Sequence, residues 1–127
     1  MGKYGTAAVM ATKLYEGLVS SPNDAWVKAV TKVFPSSESS QKKGCPRGAY
    51  LGLCENGFIR GVPKGDYCRS KKNKEYALKA VELLKQDKSL LSDEKRLWEI
   101  VVGGEEKKPN HQMDVVISLW NEGLICV

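Results

Sequence analysis

The chain has 127 residues, 42% of them hydrophobic, and a formal net charge of +5. That length suits a single domain, 1–127, around one core, and that composition excludes a disordered polyelectrolyte. No apolar run approaches the ~20 residues of a membrane span and the first residues lack a signal-peptide core, so the expectation is a cytoplasmic protein without a membrane segment.

Tyr4, Ala8, Ala11, Tyr15 and Leu18 recur at steps of three and four, which predicts a helix from about Tyr4 to Leu18. Gly2 and Thr6 also match the loose N-myristoylation pattern, but the residues between and after them serve this helix. Ser21-Pro22-Asn23-Asp24 reads as a helix start, with Ser21 as cap and Asp24 reaching back. Trp26, Ala29, Val30 and Val33 line this second helix, and Pro35 stops it. Residues 35–44 read as a polar loop. A third helix starts near Pro46, buries Ala49, Tyr50, Leu53 and Cys54, and stops at Asn56-Gly57. Residues 58–69 form either a small irregular β-hairpin or a plain loop around Pro63-Lys64-Gly65. Asn73 is placed to cap a fourth helix carrying Tyr76, Ala77, Ala80, Val81 and Leu84. A fifth helix follows Ser92 with Leu97, Trp98, Val101 and Val102 inward, and Gly103-Gly104 ends it. The last runs from about Asn110 to Glu122 with Met113, Val116, Ile117 and Trp120 inward.

The two halves resemble each other. A shift of 72 places Tyr4 on Tyr76, Ala8 on Ala80, Leu18 on Leu90, Trp26 on Trp98 and Val30 on Val102. A shift of 66 then places Leu53 on Leu119, Gly57 on Gly123, Phe58 on Leu124 and Ile59 on Ile125. The fold expectation is therefore all-α, about six helices in two related three-helix units (4–59 and 76–125). A twofold arrangement would let the two tails pair as a short β-ribbon. Trp26, Val30, Leu53, Trp98, Val102, Leu119 and Trp120 are expected in the core.

Charge is concentrated. Residues 42–74 carry nine cations against Glu55 and Asp66, a segment charge of +7 that leaves −2 for the rest of the chain. The second half has no counterpart of the connector 60–74, so the shared fold does not require it. Lys42, Lys43, Arg47, Arg60, Lys64, Arg69, Lys71 and Lys72 are the candidate binding residues. Such a block attracts polyanions. The leading expectation is a nucleic-acid-binding protein that contacts phosphates of DNA or RNA, with Tyr67 and Phe58 as stacking surfaces. The alternative is an interaction module for an acidic protein. A helix ending at Gly57 followed by a basic connector is similar to a winged-helix reader, but the loop 35–45 is too long for a helix-turn-helix. Only Arg47, Glu55 and Asn56 offer polar groups on the solvent face of that helix, so little base reading is expected.

A third class rests on Cys45. Its place before Pro46, at a helix start among Lys42, Lys43 and Arg47, favours a thiolate, and a cysteine enzyme would need the single histidine, His111, as its base. A small residue at a helix start is the plainer account. The four cysteines form no Cys-x-x-Cys pair, so neither a metal nor another cofactor is expected. Oligomeric state is not readable.

The stretches Gln41-Lys42-Lys43-Gly44-Cys45-Pro46-Arg47-Gly48-Ala49-Tyr50-Leu51-Gly52-Leu53-Cys54-Glu55-Asn56-Gly57 and Gly61-Val62-Pro63-Lys64-Gly65-Asp66-Tyr67 are distinctive. With Ser70-Lys71-Lys72-Asn73-Lys74-Glu75-Tyr76-Ala77, the chain resembles a bacterial family of uncharacterised proteins over nearly its whole length. The resemblance implies a bacterial source and one domain, and no activity.

Overall fold

A computed structural model describes residues 1–16 and 19–127. Its helices are α1 (Lys3–Tyr15), α2 (Pro22–Val33), α3 (Glu38–Gln41), α4 (Gly44–Glu55), α5 (Lys71–Gln86), α6 (Glu94–Val102) and α7 (Gln112–Asn121), with a 3-10 turn at Lys88–Ser92. Six of these exceed two turns, as the periodicity predicts, and the fold is all-α. Leu18, expected to end the first helix and to match Leu90, lies outside the described residues. The loop predicted at 35–44 contains the one-turn helix α3, whose start Ser37 caps by accepting from the Ser40 amide at 3.3 Å.

The helix ends follow from local chemistry. The Ser21 hydroxyl accepts from the Asp24 amide at 3.1 Å, and Asp93 accepts from the Arg96 amide at 3.1 Å. The start of α1 has no local cap. Asp114 on α7 supplies one across the core, accepting from the amides of Gly2 and Gly5 at 2.9 and 2.7 Å. A carboxylate there also complements the positive end of the helix. Asn73 does not cap α5, which begins a turn's fraction earlier with Ser70 before its first residue. Both α4 and α7 end on a left-handed glycine, Gly57 (φ 74°) and Gly123 (φ 71°). In each, the next amide reaches back five residues at 3.0 Å, Phe58 to Leu53 and Leu124 to Leu119. These are paired Schellman stops, and glycine suits them because a side chain strains that backbone region.

The core is continuous. α1 packs on α2 and α7, α5 packs on α4, α6 and α7, and α4 meets α7. Trp26 stacks on Tyr50 with ring centroids 5.3 Å apart, and Trp98 meets Tyr76 edge-on at 5.1 Å. Trp26, Val30, Leu53, Trp98, Val102 and Leu119 are buried as expected. Trp120 is only half-buried and borders a surface hollow with Lys85 and Ile125, because α7 turns that position toward the rim. Among the described residues, β structure is one antiparallel bridge between Ile59 and Ile125. The Arg60 amide donates to Leu124 O at 2.9 Å and the Cys126 amide to Phe58 O at 2.7 Å. The connector 58–70 is otherwise irregular, not a hairpin, and it runs back along α4.

Candidate nucleic-acid interface

The return of the connector along α4 is held by Glu55. Its carboxylate accepts from the amides of Tyr67 and Cys68, both at 2.9 Å, and from the Lys74 ammonium at 2.5 Å. The Lys74 bond and the Cys68 and Tyr67 amides together hold the Glu55 carboxyl at about 2, against an ordinary value of 4.5. Glu55 is therefore an internal tie, not the polar reader expected on a solvent face. Lys74 is likewise consumed. Close approach of α5 to α4 depends on Gly48 and Gly52: a Cβ on Gly52 would come within 2.7 Å of the Lys74 backbone.

This folding-back creates a cavity of about 660 Å³ beside the first turns of α4 and α5. Ser21 and Asn23 border it from α2, and Cys45, Arg47 and Leu51 from α4. Tyr67, Arg69 and Ser70 of the connector and Asn73 of α5 complete most of the wall. Neither α4 nor α5 has a side-chain cap on its first amides. The partial positive charge of both helix starts thus adds to that of the two guanidinium groups. A polar chain braces the rim: Asn73 donates to Ser70 Oγ at 2.8 Å and accepts from the buried Gln112 side chain at 3.1 Å. The Tyr67 hydroxyl donates to Pro63 O at 2.8 Å, fixing the ring over Gly65.

All eight cations singled out in the sequence are exposed, but they do not form one cluster. Arg47 and Arg69 share the cavity. Lys71 borders an adjacent hollow with Lys74 and Glu55. Lys42 is paired with Glu38 at 2.6 Å and Lys72 with Glu105 at 3.6 Å, while Lys43 donates to Asn110 at 3.3 Å. Lys64 lies over Gly57 and Arg60 beside the bridge, both at the far end of α4. The free cations thus divide between the two ends of α4, an element about 18 Å long. Arg69 stands 4.0 Å from Asp66, but both side chains are more than four-fifths exposed, so solvent screens that pair.

Cys45 is half-buried on the cavity wall. Among the described residues no hydrogen bond joins it to His111. The His111 ring instead packs on Tyr4 with centroids 4.7 Å apart. The thiol of Cys54 is pushed up to about 12 by burial, and that of Cys68 is raised by burial, with Gly48 O and Ser70 O as the two acceptors in reach of its one hydrogen. Among the described residues no group of His, Cys, Asp and Glu is placed to hold a metal ion, and no helix is long and apolar enough to cross a membrane.

Three polar residues central to this geometry have roles that the sequence reading does not give them: Glu55, Gln112 and Asp114. Each carried a signal. Glu55 is one of two acids among nine cations, and Gln112 and Asp114 are polar positions at the start of a helix otherwise rich in apolar residues. No curated protein and no solved structure matches this chain. A family model matches residues 1–126, and the chain belongs to that family, DUF6979, a family of unknown function.

Proposed function

We propose that this protein binds the phosphate backbone of a nucleic acid along the stripe formed by α4, the connector and the start of α5. The observation that carries the reading is the cavity that gathers Arg47, Arg69 and two uncapped helix starts at one end of that stripe. Helix starts and guanidinium groups both favour anions, and arginine suits phosphate through its paired donors. Lys64 and Arg60 extend the positive surface toward the other end of α4. Lys42 and Lys72 stand outside the cavity, each beside an exposed glutamate whose charge offsets its own. An acidic protein could meet the same cations, but it does not call for a cavity. Salt titration tests the reading. Binding to a random-sequence oligonucleotide should weaken as salt rises, with a log–log slope of roughly −0.7 per phosphate on single strands and −0.9 on duplex. Arg47→Gln and Arg69→Gln should each weaken binding and flatten that slope. Absence of binding at low salt would overturn the reading.

The molecule also reads as a duplicated unit. The amide bonds about the Ile59–Ile125 bridge exchange under the shift of 66, as do the two Schellman stops. α1 pairs with α7 as α5 pairs with α4. Superposing α1, α2 and α4 on α5, α6 and α7 in chain order tests this, and unrelated helix directions would overturn it. On this reading the connector, with its cations, is the part added to one unit for function.

A further inference from the structure

We infer that the cavity receives one unpaired nucleotide of a single-stranded nucleic acid, its phosphate on Arg47 and Arg69 and its base against Tyr67 and Leu51. The inference rests on the nucleic-acid reading above and narrows it to single strands. A volume of about 660 Å³ is in the range of small-ligand sites, and a paired base inside a duplex cannot enter a recess of this kind. The wall is divided by chemistry. The cationic part comprises the two arginines and the uncapped starts of α4 and α5. The apolar part comprises Leu51, which is buried, and Tyr67, which is half-buried. A nucleotide has the same two halves.

Tyr67 is also preorganised. Its hydroxyl is bound to Pro63 O and its amide to Glu55, so little ordering remains to be done when a base arrives. Asn23, which borders the cavity from α2, offers an amide that can both donate and accept toward a base edge. Among the described residues Asp66 is the one carboxylate on the wall, and its exposure leaves it free to turn to solvent.

The test uses the full chain and a labelled strand of about ten nucleotides, as DNA and as RNA, with the matching duplexes, in fluorescence anisotropy at one low salt concentration. Each strand or its duplex reports directly. At least one of the two single strands should bind about tenfold more tightly than its duplex, and the tighter form identifies the sugar. Tyr67→Leu should weaken strand binding about tenfold and leave duplex binding nearly unchanged. Duplex binding as tight as strand binding, or a Tyr67→Leu effect equal on both, overturns the cavity inference while the backbone-binding reading stands. No binding of any form overturns both. Should Tyr67→Leu fail to fold, photo-crosslinking a 5-iodouracil strand to the unaltered chain decides: a crosslink mapped to Tyr67 supports the inference, and crosslinks only at other residues overturn it.

Discussion

Glu55 sits in the last turn of α4, where three donors reach it from the connector and from α5. Without that carboxylate two connector amides lose their acceptor and the Lys74 ammonium loses its partner. Hydrogen bonds to a charged group are worth about 1.5–3 kcal/mol, so Glu55→Gln should lower stability at neutral pH by about 2 kcal/mol. The pH dependence has a definite sign. The folded carboxyl titrates at about 2, below its ordinary 4.5, so its stabilisation is complete above 4.5 and is lost as pH falls toward 2. Chemical denaturation across that window should show a steep acid limb in the parent and a shallower one in Glu55→Gln. Equal stability of the two at neutral pH would contradict the tie. Glu55→Ala, which also removes the oxygen that accepts from the Tyr67 and Cys68 amides, should weaken nucleic-acid binding, since the connector would no longer be held against α4.

At the level of elements, the close contact of α4 with α5 places the two uncapped helix starts beside one cavity. Gly52→Ala should push the helices apart, because its Cβ meets backbone rather than the tip of a side chain. Overpacking of this kind costs about 1–3 kcal/mol, readable as a lowered melting temperature. An unchanged melting temperature would show that the helices are not so close. The elements themselves were largely legible in the sequence. Periodic apolar positions marked the six longer helices, and Ser21, Pro22, Asn56-Gly57 and Gly103 marked several ends. What sequence could not provide was contact across distance. Asp114 capping α1, Gln112 bracing Asn73 and Glu55 binding the connector are each set by which helices pack together. The candidate site was legible as a charge block but not as a shape. The folding-back of the connector brings Arg69 to the same cavity as Arg47, 22 positions earlier, and no sequence spacing signals that.

Across the whole molecule, the charge asymmetry coincides with the two units of the proposed duplication. The connector 60–74, which has no counterpart in the second half, carries six cations against Asp66 and so supplies +5 of the +7. The remaining surface, at −2, repels a polyanion weakly and helps orient it. Amide chemical-shift mapping of the full chain, titrated with a short single strand at low salt, tests the central claim most directly. The account predicts that shifts cluster at residues 44–47 and 67–73, with smaller ones near Lys64, and that the α6 surface stays unchanged. Shifts centred elsewhere, or none at saturating strand, would contradict it.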